Sequence, residues 1–148
     1  MSKRSKPISH TWVDSTRAPM YVVRLPSPAP FSELLAFCAT REEWAKTQDA
    51  PVAFVFDISR LTTKDASGRP RDVFIEHLKR FEEFDKKWTC AVGIVAGSAV
   101  TRGLVTAVFW LQSPCFEYCV VPTVEEAVVF TQVRLEIASR RRLTTAVA

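Results

Sequence analysis

Ser67 is the side chain in this sequence best placed for chemistry. It sits in Asp65-Ala66-Ser67-Gly68, and Asp65 lies eight residues beyond Asp57, which closes the apolar run Val52-Ala53-Phe54-Val55-Phe56. A short hydroxyl is thus set between a buried strand and the start of a charged, helix-like segment. Free N–H groups at a helix start welcome negative charge. A phosphate on serine brings roughly −1.5 to −2 charges at neutral pH. Arg69 and Arg71 follow closely and carry donors that pair with phosphate. The chemistry implied is a hydroxyl at Ser67 placed where a phosphate would be electrostatically welcome, with Arg69 and Arg71 close by. The same serine also serves as a plain cap for the loop and helix.

Other residue combinations are weaker. Asp57 and Asp65 suit a cation only if more oxygen ligands join them. Aspartates near turns more often accept from backbone amides. Asp65, Ser67 and His77 invite comparison with a hydrolytic triad, but no Gly-X-Ser-X-Gly elbow accompanies them, and His77 falls on the polar-to-flanking side of its helix. Cys38, Cys90, Cys115 and Cys119 form no CxxC pair, and His10 and His77 are not spaced with them as zinc ligands. Cys115 and Cys119 are expected on one face of a strand, about 13 Å apart and too far for a disulfide. All four thiols are expected as core packing in a reducing compartment. Four glycines leave little room for a phosphate-binding loop. No metal and no cofactor is expected. Phe109 and Trp110 fit either ordinary core or the wall of an apolar ligand cavity.

The 148 residues suit one domain, and 47% hydrophobic content suffices for a substantial core. No run approaches the roughly 20 apolar residues of a membrane span. No apolar segment follows the basic start, so a cytoplasmic protein is expected. Of the formal +4, Lys3, Arg4 and Lys6 supply +3 and Arg140, Arg141 and Arg142 another +3, which leaves −2 for the rest. The basicity belongs to the ends, so specific nucleic-acid binding is not expected.

Alternation predicts an edge strand from Ile8 to Asp14 and a stronger one over Met20–Leu25, joined by a turn at Ser15–Pro19. Ser32 is a cap for a helix carrying Leu34, Phe37, Cys38 and Trp44 at helical spacing. Val52–Phe56 and Cys90–Val95 are continuously apolar, as strands covered on both faces are, and are expected in the centre of the sheet. Between them, Pro70 opens a helix whose buried stripe is Phe74, Leu78, Phe81 and Trp88. Ser98 caps a helix of low charge, expected to be well covered. Phe116, Tyr118 and Val120 alternate as a fifth strand. Thr123 and Glu126 make a capping-box pattern for the last helix. The order β-β-α-β-α-β-α-β-α implies an α/β fold: a five-stranded mixed sheet with about four helices, over residues 8–137. The ends, 1–7 and 143–148, are expected to be flexible.

This order, with Asp57, Asp65, Ser67 and Gly68 at matching spacing, resembles the STAS domain of anti-sigma factor antagonists. There an apolar strand ends in Asp and a loop carries Asp-X-Ser-Gly before a helix. The resemblance implies that Ser67 is a phosphorylation switch in a signalling module. Val92-Gly93-Ile94-Val95 and Arg102-Gly103-Leu104-Val105-Thr106-Ala107-Val108-Phe109-Trp110-Leu111 also resemble bacterial STAS-like proteins grouped with the Sec14-like lipid-binding fold. Antagonists usually follow the motif with Gly-Leu-Gly, whereas here Gly68-Arg69-Pro70-Arg71 follows. The function expected is a non-enzymatic protein-interaction or signalling module with a protein partner. The alternative is a protein that binds a lipid or small apolar ligand in a Sec14-like pocket.

Overall fold

The structure is a computed structural model that describes residues 5–65 and 68–147, with side chains up to Leu143. Ser67 therefore lies outside the described residues. The elements in chain order are β1 (Val13–Asp14), β2 (Met20–Arg24), α1 (Phe31–Ala45), β3 (Val52–Asp57) and α2 (Arg69–Arg80), followed by α3 (Glu82–Trp88), β4 (Thr89–Val95), α4 (Ala99–Leu111), β5 (Tyr118–Val121) and α5 (Val124–Val147). One sheet runs β1-β2-β3-β4-β5, with β1 antiparallel to β2 and all other pairs parallel. Among the described residues the fold is α/β, with a five-stranded mixed sheet and five helices.

The apolar runs explain the centre of the sheet. Val52, Ala53, Phe54 and Val55 are each 0% exposed. Alternation sends Val52 and Phe54 to one face, with Tyr21, Val23, Val92 and Ile94, under α1, α2 and α4. It sends Ala53 and Val55 to the other face, with Met20, Val22 and Val95, against α5. A strand covered on both faces gains from apolar residues at every position, which is why no polar alternation marks β3.

Helix α5 comes unusually close to β4. A Cβ built at Gly93 would lie 2.8 Å from Ala127 Cβ and 3.1 Å from Ala127 Cα. Ala127 is itself fully buried, so nothing flexible is there to yield. Gly93→Ala is expected to destabilise the protein by about 1–3 kcal/mol through overpacking. Gly103, in α4, has no atom within 4 Å of a built Cβ. Gly103→Ala is expected to stabilise by about 0.5–1 kcal/mol, since glycine is costly inside a helix. Urea denaturation of both variants checks this. A Gly93→Ala protein at least as stable as the wild type would rule out the close approach.

Several local expectations are corrected. The chain turns at His10–Trp12 where alternation predicts a strand, and only Val13–Asp14 pairs with β2. His10 Nδ1 accepts the Trp12 N–H at 3.1 Å, and the His10 and Trp12 rings pack edge-on, both against Phe37. The aromatic residues thus cover α1 instead of extending the sheet. Ser32 does not cap α1, because Pro30 holds the N-cap position and Ser32 lies within the first turn. Ser98 does cap α4, its Oγ accepting the Thr101 N–H at 3.1 Å while Thr101 Oγ1 accepts back from the Ser98 N–H. The segment after Pro70 forms two helices, not one, because the chain departs from helical geometry at Phe81. The fifth strand starts only at Tyr118, so Cys115 and Phe116 precede it and the two cysteines do not share a strand face.

The segment from 143 to 147 is helical, as the end of α5. At the other end, the Lys6 carbonyl accepts from Tyr21 Oη and from Trp44 Nε1, each at 2.8 Å. Two buried aromatic donors thus draw the chain onto the core before residue 8. No helix among the described residues is long and apolar enough to cross a membrane.

Candidate functional site

The residues around position 67 form a fixed frame. Asp57 Oδ1 accepts the Ser59 N–H at 3.0 Å and the Ser59 hydroxyl at 2.6 Å. Asp65 is 9% exposed and gathers four donors. Its Oδ2 accepts from the Thr62 N–H, the Thr62 hydroxyl and the Ser27 hydroxyl, each at 3.0 Å, and its Oδ1 from the Ala29 N–H at 3.3 Å. Burial pushes the Asp65 pKa up, but these hydrogen bonds outweigh burial and hold it below the usual value. Both aspartates bind loop amides, as their positions near turns suggest. Asp65 also ties this loop to the one before α1.

Gly68 precedes α2 with φ at +61°, the left-handed region that glycine enters without strain. The Arg69 guanidinium lies 4.4 Å from the Phe31 ring centroid, and Arg71 Nε lies 4.0 Å from Asp72 Oδ1. Among the described residues no group of three His, Cys, Asp or Glu side chains is placed to hold a metal ion. Of the triad combination, Asp65 and His77 are not brought together, and Ser67 lies outside the described residues. His77 is buried, and its ring nitrogens face Arg41 and Glu42 while Asp65 is engaged elsewhere.

A second site lies on the sheet face under α1, α2 and α4. There the packing leaves a cavity of about 130 Å³. Phe56, Val92 and Ile94 form its floor, and Phe74, Leu104 and Val108 lie among its helical walls. Phe109 also lines it, as the cavity alternative requires, but Trp110 is 84% exposed and takes no part in either core or cavity. With Val100 and Leu111 exposed as well, α4 is less covered than its low charge implies.

One wall is polar: Arg41, His77 and Asp85, all buried, with the Cys38 thiol beside them. The Arg41 guanidinium carbon lies 3.8 Å from the Phe81 ring centroid and 4.2 Å from that of Phe54. Aromatic faces therefore replace much of its water. Burial lowers the Arg41 pKa to about 10, with Asp85 the strongest charge opposing the fall. Arg41 remains cationic at neutral pH. Its Nη1 lies 2.9 Å from His77 Nε2. A guanidinium only donates, so His77 Nε2 accepts and the imidazole proton sits on Nδ1, 3.6 Å from Glu42 Oε1. Arg41 Nε and His77 Nδ1 make no hydrogen bond among the described residues. Asp85 accepts the Thr89 hydroxyl at 2.7 Å, and burial pushes its pKa above the usual value despite Arg41.

Burial, then the Arg41 and Arg80 charges, hold His77 at about 3 instead of 6.5. An unfolded chain protonates this ring near pH 6.5, and the folded one does not until about pH 3. The unfolded state binds more protons across that window, so this contribution is full above it and is lost as pH falls. Acidifying from about pH 7 to about pH 5 is expected to lower the urea midpoint of the wild type more than that of His77→Gln, which keeps an acceptor for Arg41. Equal losses in both proteins would remove His77 as the cause.

The sequence pattern misses this polar wall because Arg41, His77 and Asp85 are charged or polar types assigned to solvent. A positional signal exists. Arg41 falls on the stripe of Leu34, Phe37, Cys38 and Trp44, and Asp85 stands four residues after Phe81. A polar residue on a buried stripe is the informative departure from pattern. Neither a protein family, a curated protein nor a solved structure matches the chain.

Proposed function

We propose that the protein is a non-enzymatic binding module that takes one small, largely apolar molecule into the cavity under α1, α2 and α4. The observation that carries this is the cavity itself, an apolar space of about 130 Å³ with polar groups confined to one wall. An apolar cavity of roughly 150 Å³ accommodates benzene, so the ligand is the size of one aromatic ring or a short chain, not a whole phospholipid. Pockets of this type use a few polar groups for orientation and apolar walls for affinity. Arg41, His77 and Asp85 are placed to orient one polar substituent. The same groups are poorly tuned for catalysis. His77, at about 3, is a weak base, and burial raises the Cys38 thiol to about 11, leaving it protonated at neutral pH.

Benzene is the probe. It is expected to raise the melting temperature of the wild type and not that of Val108→Phe, whose added ring occupies the space. Native mass spectrometry of freshly purified protein tests for a retained ligand. No benzene shift in the wild type and no added mass would sink the proposal.

The switch at Ser67 is a second reading, favoured by the frame around that position. Asp57 and Asp65 pin the loop, and Gly68 supplies the left-handed turn into α2. In this reading the STAS-like loop is a protein-binding surface altered by phosphate. Phosphopeptide mapping, with binding of wild type, Ser67→Ala and Ser67→Asp to partners recovered from the native cell, tests it. No phosphate and equal binding by all three would end it.

A further inference from the structure

Helix α5 buries one side against the sheet through Ala127, Val128, Thr131 and Leu135. Its opposite side is exposed and apolar at the centre. Val129, Val133 and Ile137 are 64%, 46% and 43% exposed, at spacings of four residues. At about 100° per residue these three lie within about 40° of one line, and that line passes through Glu126 at one end and Arg140 at the other. Glu126 and Arg140 are both exposed, each seven residues from Val133. The line therefore reads acid, apolar, apolar, apolar, base, and Val133 is its midpoint.

Such a line is complementary to its own reverse. We infer that the outer face of α5 is an interaction surface for a second copy of this chain, packed antiparallel about a two-fold axis at Val133. In that arrangement Glu126 is level with Arg140 of the partner, Val129 with the partner's Ile137, and Val133 meets its own copy. A two-fold interface requires this self-complementarity, because the same patch is used on both sides. Acid meeting base at both ends specifies antiparallel order, since parallel packing sets Glu126 against Glu126 and Arg140 against Arg140. Arg140 also keeps a contact within its own chain, so the ion pairs act as a rim and the valines and isoleucine as the centre. The paired segment spans about 20 Å of helix at a 1.5 Å rise per residue. That is small beside a standard interface of about 1,600 Å², so the dimer is reversible and dilution dissociates it. This surface lies on the opposite side of the sheet from the cavity, and the inference is independent of the ligand.

Sedimentation velocity of the full chain over a concentration series tests it. The wild type is expected to shift from monomer to dimer with concentration, and to need more protein to do so at high salt, which screens the rim pairs. Val133→Asp sets two carboxylates against each other on the axis and is expected to weaken the dimer at least about tenfold. Glu126→Arg alone and Arg140→Glu alone are each expected to weaken it. An equimolar mixture of those two variants is expected to restore association, because each then meets an opposite charge. Both sites are exposed, so these variants keep the test valid even if Val133→Asp disturbs the fold. A wild type that stays monomeric at every concentration overturns the inference. So does a dimer unaffected by Val133→Asp, or a mixture that associates no better than its components.

Discussion

Phe81→Ala is expected to destabilise the protein by about 3–5 kcal/mol, the range for truncating a buried phenylalanine. The ring is 2% exposed. It lies between two helices, its centroid 5.2 Å from the His77 ring and 4.7 Å from the Phe84 ring, with the Arg41 guanidinium 3.8 Å above it. Truncation leaves a void and also strips one face from a buried cation that has little water to replace it. The loss should therefore fall in the upper part of the range. Trp110→Ala is the contrast. That ring is 84% exposed, and its removal is expected to change stability by less than about 0.5 kcal/mol. Urea denaturation of both variants decides the matter. A loss below about 1 kcal/mol for Phe81→Ala would place the ring at the surface.

These two aromatics show how far the sequence carries. Phe81 is legible because it lies on a stripe with Phe74 and Leu78, and the spacing of the stripe selects one helix face. Trp110 has no such stripe. It follows Phe109 in a helix with apolar residues on most sides, and composition alone does not say which side meets the sheet. β3 is legible because Val52–Phe56 has no polar position, which only a strand covered on both faces tolerates. β1 is not, since the alternation of His10, Trp12 and Asp14 suits an edge strand as well as a turn whose rings pack on α1. Asp57 and Asp65 follow from turn chemistry, and their amide-binding geometry is what short carboxylates near loops adopt. An apolar pocket with Phe109 in its wall is only one of two readings the sequence leaves open, and the cavity's place, size and polar wall are not legible. They depend on how α1, α2 and α4 meet above the sheet, through contacts that are long-range in sequence.

Arg41→Met is the change expected to reach furthest into the candidate site. Arg41 is 4% exposed and cationic at neutral pH, and Asp85, 3% exposed, is the strongest charge that favours its protonated form. Methionine fills similar volume and keeps contact with the Phe54 and Phe81 rings, so packing is largely retained. It removes the cation that helps Asp85 stay ionised and the donor that His77 Nε2 accepts. No ion-pair contact joins Arg41 to Asp85 among the described residues, and Asp85 keeps the Thr89 hydroxyl. The loss is therefore expected to be about 1–3 kcal/mol, the range for leaving a buried polar group short of a partner. Asp85 is then expected to titrate at higher pH than in the wild type, so Arg41→Met should be relatively more stable in acid, where the carboxyl is protonated. Its folded-state pKa is raised, so its contribution is full at low pH and is lost as pH rises through that pKa. Adding Asp85→Asn to Arg41→Met removes the carboxylate charge while leaving an acceptor for the Thr89 hydroxyl, and should recover much of the loss. A double-mutant cycle in urea, at neutral and acid pH, measures the coupling. Strictly additive losses would mean that Arg41 and Asp85 act separately, with the guanidinium held by its aromatic faces alone. A coupled pair would instead give the cavity a matched polar wall, with both charges satisfied before any ligand arrives. In that case a ligand carrying a full charge would be disfavoured there, and a neutral ring with one hydrogen-bonding substituent would suit the site.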